Sequence, residues 1–220
     1  MPKVNFNSSI LNSATCRINS IGKRNKMNNN IEMIWKLATP KEVYNGGKWY
    51  SDAQYQAKEI SLKYDIKLST VVGVISALSP NNKWDRNIDN ADALIKAYLD
   101  GEHIESVKVS TYHTMKAKAW SILDDMLVSN EEILTRLNGQ KIKSFYECIM
   151  GLDACCIDGH ALNIWRGERF GLTSDKTNIG KKLYAEIQND YVNTANALGL
   201  KAYELQAITW VAWRRIHDIA

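Results

Sequence analysis

The chain has 220 residues, 45% of them hydrophobic, and a formal net charge of +4. That length supplies one or two domains with a sizeable core. No apolar run approaches the roughly 18 residues that a membrane-spanning helix needs. The first residues lack the continuous apolar core of a secretory signal, so a cytoplasmic location is expected. Cys16, Cys148, Cys155 and Cys156 have neither metal-ligand spacing nor the pattern of a disulfide framework. They read as free thiols of a reducing compartment, and no metal or other cofactor is expected.

Residues 1–30 carry Lys3, Arg17, Lys23, Arg24 and Lys26 with no acid. The rest of the chain is therefore close to neutral. This stretch lacks apolar periodicity and reads as a disordered basic tail, or as a basic arm that touches nucleic acid. Residues 31–220 read as one helical domain. A short helix is expected over Ile31–Leu37, ended by Thr39-Pro40. Asn45-Gly46-Gly47 reads as a loop, and Ser51 with Gln54 as a capping box for the next helix. Ser69 opens a run from Val71 to Leu78 that is apolar nearly all round, as in a buried central helix.

That run leads into Ser79-Pro80-Asn81-Asn82-Lys83-Trp84-Asp85-Arg86-Asn87. Pro80 can stop one helix and Asn82 can cap the next. Alternatively, Asn81, Asn82, Trp84 and Asn87 present amides and an aromatic ring to a base. Further helices are expected from Trp84 to Tyr98, from Thr111 through Leu123 past Tyr112, and from Glu131 to Leu137 behind a Ser129–Glu132 capping box.

From Leu137 to Trp165 the pattern is a turn, a helix, an apolar connector and a second helix. Asn138-Gly139 is a turn signal. Ile142, Phe145, Tyr146 and Ile149 have helical spacing, and Gly151 stops that helix. Ala154-Cys155-Cys156-Ile157 reads as buried, and Asp158 precedes a helix carrying Ala161, Leu162 and Trp165. Asp158 has two readings. It is a preferred N-cap, and it is a rigidly held carboxylate at the edge of a dry site, where Lys141 or Lys143 could meet it. Two last helices follow, one running to Gly199 and one from Tyr203 to Ile219 with Ile208, Val211 and Trp210 or Trp213 inward. No segment shows strand alternation bounded by hairpin turns. The expected fold is all-α, with about eight to ten helices.

The stretch from Leu137 to His160 resembles the core of the helix-hairpin-helix (HhH-GPD) DNA glycosylases, the superfamily that includes endonuclease III. Leu137-Asn138-Gly139-Gln140-Lys141 stands where the family hairpin L-P-G-V-G-x-K stands, and Ile157-Asp158-Gly159-His160 where V-D-T-H stands. Ser79, Asn81 or Asn82, and Asp85 match the segment L-L-S-x-Q-x-x-D loosely. Tyr112 to Ala117 resembles Y-N-S-K-A. Only one hairpin glycine, Gly139, remains. The phrase S-A-L-S-P-N-N-K-W-D-R-N, with Lys48-Trp49-Tyr50 before it, also resembles proteins of phages and actinobacterial mobile elements. The chain ends its cysteines at Cys156, so the resemblance implies a glycosylase-like fold without the family's iron–sulfur cluster.

The resemblance further implies a DNA base glycosylase that cleaves the N-glycosidic bond of a damaged or modified base. Asp158 would be the catalytic carboxylate and Lys141 a catalytic lysine that could add lyase activity. Asn81, Asn82, Trp84, Asn87, Tyr112, Gln140, Lys143, His160 and Trp165 are the candidates for substrate contact, with Tyr146 a further aromatic. The expected partner is nucleic acid, DNA first, or a modified nucleobase or nucleotide. Two alternatives stand beside it. One is a phage transferase acting on a hypermodified pyrimidine. The other is a non-catalytic nucleic-acid-binding module.

Overall fold

Thr39-Pro40 begins a helix rather than ending one. Proline is well placed in a first helical turn, where its missing N–H costs nothing. Thr39 Oγ1 accepts from Glu42 N at 3.3 Å, and Glu42 Oε2 accepts from Thr39 N at 2.7 Å, a complete capping box. The helix runs without interruption from Pro40 to Tyr64. Asn45-Gly46-Gly47 therefore lies inside it and is no loop. Ser51 is mid-helix, with its hydroxyl donating to Lys48 O, and caps nothing. The glycine serves packing: a Cβ at Gly46 would lie 2.5 Å from Ile208 Cα on the last helix.

The computed structural model describes residues 27–172 and 174–219. Among them are ten α-helices and two short 3-10 segments, with no strand. They are α1 (Asn29–Lys36), α2 (Pro40–Tyr64), α3 (Leu68–Leu78), α4 (Trp84–Leu99), α5 (His113–Asp124), α6 (Asn130–Arg136), α7 (Gln140–Ile149), α8 (Gly159–Arg166), α9 (Lys181–Leu198) and α10 (Ala202–Ile216). The fold is all-α. No helix among the described residues is long and apolar enough to cross a membrane.

Most of the basic tail expected over 1–30 lies outside the described residues. Its last positions belong to the body. Asn28 caps α1 by accepting from Asn30 N and Ile31 N, and its own N–H donates to Thr194 Oγ1. Asn30 Nδ2 donates to Trp165 O. The body therefore reaches back at least to Asn28, three residues earlier than apolar periodicity indicates, because polar caps carry no such period.

Two apolar cores organise the helices. The first is built by α2 to α7 around α3, whose residues from Thr70 to Leu78 are all buried. The second joins α1 to α8, α9 and α10. Helix α10 faces both, with Ala207 in the first core and Leu205, Ala212 and Trp213 in the second. The Ser129–Glu132 capping box stands at the start of α6 as expected. Helices α3, α4 and α5 begin without side-chain caps, at Lys67, Lys83 and Tyr112, whereas residue pattern alone points to Ser69, Asn82 and Thr111.

The glycine pair in α2 separates close packing from flexibility. Gly46→Ala is expected to destabilise the fold by about 1–3 kcal/mol, the range for overpacking. A Cβ added at Gly47 would meet nothing within 4 Å. Gly47→Ala should stabilise by roughly 0.5–1 kcal/mol, since glycine is unfavourable inside a helix. Urea midpoints of the two variants check the pair.

Candidate functional site

The connector Ala154–Ile157 is not helical, and its successive side chains go to opposite sides, as in an extended segment. Ala154 and Cys156 enter the first core, while Cys155 and Ile157 enter the second. Its backbone is tied down by α9: Tyr184 Oη accepts from Ile157 N at 2.9 Å, and Gln188 Nε2 donates to Cys155 O at 3.1 Å. Asp158 is the next residue and emerges at the seam between the cores.

Asp158 caps α8. Its Oδ1 accepts from Ala161 N at 2.8 Å. The helix N-terminus favours a negative charge there. Among the described residues, the second carboxylate oxygen has no hydrogen-bond donor. Gly159 follows, where an added Cβ would lie 2.7 Å from the end of the Leu172 side chain.

Lys141 approaches from the other core. It is exposed on the first turn of α7, and its carbonyl accepts from Cys156 Sγ at 3.5 Å. Burial pushes the Cys156 thiol up to about 12, with Lys141 pulling it down and Asp158 pushing it up. Burial likewise holds Cys148 and Cys155 well above the usual thiol range. The three thiols are therefore protonated and unreactive near neutrality, whereas nucleophilic cysteines are thiolates.

His160 sits on the first turn of α8, 9% exposed, with Nδ1 buried and unpartnered. Its ring meets Trp210 edge-on at 6.4 Å, and the Arg214 guanidinium lies 4.6 Å from the centre of the Trp210 ring. Burial lowers the His160 pKa. Asp158 opposes that shift, while Arg214, Lys141 and Arg169 add to it. The imidazole is thus neutral near pH 7.

One turn beyond Lys141 on α7, Phe145 belongs to an aromatic wall. Trp49 lies 6.0 Å from Phe145 and 5.1 Å from Trp84, and Trp84 lies 6.3 Å from Phe145. All three rings are half-buried. Tyr50, buried beneath them, contacts Trp49, Phe145 and Tyr203 and donates to Gln206 Oε1 at 3.1 Å. Burial pushes its phenol well up, with Cys156 and Asp158 among the further causes.

The other sequence candidates divide. Asn82 turns inward, donating to Leu78 O at 3.3 Å, with the oxygens of Asn87 and Asn90 at 3.5 and 3.4 Å. Asn87 is buried and donates to Ile75 O. These two amides close the α3–α4 corner. Asn81 is exposed with a left-handed φ of 54°. Thr111 Oγ1 donates to Pro80 O, bracing the loop from the residue before exposed Tyr112. Trp84 joins the wall and donates to Gln56 Oε1. Gln140 is exposed on the same first turn as Lys141. Lys143 faces Glu147 one turn on. Tyr146 is buried and bonded to Asn130. Trp165 donates to Asp190 and packs in the second core, away from the wall.

Asp158 and Lys141 therefore both act on Cys156 and His160, Trp84 stands in the aromatic wall of the first core, and Asn82, Asn87 and Trp165 turn their polar groups to other partners. Trp49, Phe145, Tyr203, Trp210, Arg169 and Arg214 are not among the sequence candidates. Their helical spacing is visible, but which core or seam each faces depends on how α2 and α10 pack. Two cavities lie elsewhere, about 350 Å³ beside Lys116 and about 470 Å³ beside Lys63. Lys116 Nζ donates to the carbonyls of Ile104 and Val107, which accounts for its burial. Among the described residues, no group of three His, Cys, Asp or Glu side chains is placed to hold a metal ion.

The neutral His160 has a consequence for stability. Its folded pKa lies below the unfolded value of about 6.5, so the unfolded chain binds more protons as pH falls. The stabilisation is present above about pH 6.5 and is lost as pH drops through the folded pKa. His217 shifts in the same direction, through burial and Arg169. Melting temperature should fall from pH 7 to pH 5, and His160→Gln should fall less steeply than the parent chain.

Comparison with curated proteins and comparison with solved structures each find no match. A family model described as "Family of unknown function (DUF7178)" matches residues 14–217. Since that match spans nearly the whole sequence, α1 to α10 included, the chain belongs to the DUF7178 family.

Proposed function

We propose that the chain is a DNA base glycosylase-like enzyme that hydrolyses the N-glycosidic bond of a modified or damaged base. The observation that carries this reading is Asp158: one oxygen caps α8, the other is undonated among the described residues, and Lys141, which acts with it on Cys156, stands one turn before Phe145 of the aromatic wall. The resemblance of Leu137–His160 to the helix-hairpin-helix glycosylases points to the same carboxylate.

The chemistry follows from charge. Breaking the bond between C1′ and the base nitrogen leaves positive charge on the sugar, in an oxocarbenium-like state. A fixed carboxylate nearby stabilises that charge and needs no reorganisation as it develops. The undonated oxygen of Asp158 orients a water and accepts its proton as the water oxygen bonds to C1′. The base departs with the bonding electrons and takes up a proton. A base must leave the stack to reach such a site, and Trp49, Trp84 and Phe145 offer faces for it to stack on. Lys141 is exposed and lacks the burial that activates a lysine as nucleophile. The reading is therefore simple hydrolysis, with Lys141 contributing charge. DNA contact fits the mobile-element resemblance, and a cytoplasmic setting fits the free buried thiols.

Two outcomes are expected. The purified chain should release free base from DNA of the encoding genome, and Asp158→Asn should slow release about a hundredfold or more. Because asparagine is also a strong N-cap, stability should change by no more than about 1 kcal/mol. Retained base release in Asp158→Asn would reduce the carboxylate to a cap and end this reading. Trp49→Ala should weaken DNA binding about tenfold, within the range for loss of one stacking face. Borohydride should trap no covalent adduct with DNA.

A further inference from the structure

Beside Asp158, three elements bring positive charge to one corner. Helix α10 supplies Arg214, whose guanidinium lies over Trp210 at 4.6 Å while Nε donates to Ile219 O. The segment after α8 supplies Arg169, whose Nη1 donates to His217 O at 3.1 Å, three residues beyond Arg214. Helix α7 supplies Lys141. None of the three has a carboxylate partner within salt-bridge distance among the described residues. Among the described residues each arginine donates one N–H to a carbonyl just past the end of α10, out of the five that a guanidinium carries.

At the base of this corner is His160, 9% exposed, with Nδ1 buried and unpartnered. Its edge meets the Trp210 ring that carries Arg214. Among the described residues Nδ1 of His160 has no hydrogen-bond partner, so a ligand oxygen would satisfy it. Burial lowers His160 first, and Arg214, Lys141 and Arg169 add to that against Asp158, which keeps the ring neutral and able to donate one hydrogen bond without adding to the repulsion. Asp158 is the anion nearest in effect, and Asp218 acts on neighbouring His217. Of the charges that act on His160, three are cations and one is an anion, and a dianionic or monoanionic oxygen cluster suits the corner. Guanidinium forks match phosphate oxygens in geometry, and a guanidinium stacked on an aromatic ring is oriented before the ligand arrives.

We propose that His160, Arg169 and Arg214 form a phosphate-binding subsite, which seats a phosphate of the nucleotide whose glycosidic bond lies at Asp158. The proposal rests on the glycosidic reading for the orientation of the ligand, but the subsite binds phosphate whether or not the bond is cut. The phosphate could be the ester of a free nucleotide or a link in a DNA strand, and the two sources are separable by experiment.

The test is calorimetric titration of the full chain with four probes: deoxynucleosides, their 5′-monophosphates, a short mixed-sequence single strand, and the matching duplex. Phosphorylated probes should bind at least about tenfold more tightly than the nucleosides, as expected for added charge-assisted hydrogen bonds. Arg169→Gln, at an exposed position, and Arg214→Gln should each lose about that factor. Arg214→Lys should recover part of it, and circular dichroism should be unchanged throughout. Tighter monophosphates than strands identify a free nucleotide, and the reverse identifies DNA. Equal affinity for nucleoside and nucleotide, or unaltered phosphate affinity in both glutamine variants, overturns the subsite. Failure to release base from any substrate, with phosphate binding intact and sensitive to Arg169, would instead overturn the glycosidic reading alone.

Discussion

The fold depends on how closely α2 and α10 approach. Gly46 leaves room for the Ile208 backbone, and no side chain fits there without a shift. The contact is pinned at one end by Arg215, whose Nε donates to Glu42 Oε1 at 2.6 Å and Nη2 to Leu37 O at 2.9 Å. Arg215 is the main cause that holds the Glu42 carboxyl below the usual range, against burial and with help from the Thr39 cap. One glutamate therefore closes a capping box and joins the two ends of the folded chain. Because α2 carries Trp49 and Tyr50 while α10 carries Trp210 and Arg214, the approach of these helices fixes the aromatic wall relative to the ring that His160 meets.

A second constraint is the connector. A short non-helical segment inside an all-helical domain has no ladder to satisfy its backbone, and buried peptide groups require partners. Tyr184 and Gln188 of α9 supply them. The carboxylate that follows is consequently fixed at both sides, by side-chain hydrogen bonds before it and by its own cap after it. Electrostatic catalysis asks for such fixed charge. The same burial that fixes the connector keeps its thiols protonated, so the cysteines contribute volume.

Much of this is legible in the sequence, and the reasons differ by element. The all-helical class follows from apolar spacing. The α6 capping box, the turn before α7, the stop near Gly151 and the helix after Asp158 follow from residues whose local chemistry decides their conformation. Asn45-Gly46-Gly47 misleads because glycine has two uses, turn formation and close approach, and only the partner helix distinguishes them. Ser51 and Gln54 have capping spacing, but a helix already formed from Thr39 leaves them nothing to cap. At the site, Asp158, Lys141 and His160 are readable from their order along the chain. The aromatic wall is only half readable, since Trp84 stands in a conspicuous loop while Trp49 and Phe145 look like ordinary helix residues. The cationic corner is illegible, because Arg169 and Arg214 are 45 positions apart and meet only through the end of α10.

The alternation of Ala154, Cys155, Cys156 and Ile157 between two cores also bears on length variation. Removing or adding one residue here would exchange the two sets of side chains, sending Ile157 toward the space shaped for a cysteine and turning the following carboxylate away from the seam. Shape alone therefore makes the length of this segment invariant in any relative that keeps both cores. The stretch from Gly171 to Gly180 is different. It is partly exposed, and two of its glycines have open space around them. Insertions in homologous chains, and any tag placed within the domain, should be accommodated there and not in the four residues ahead of Asp158.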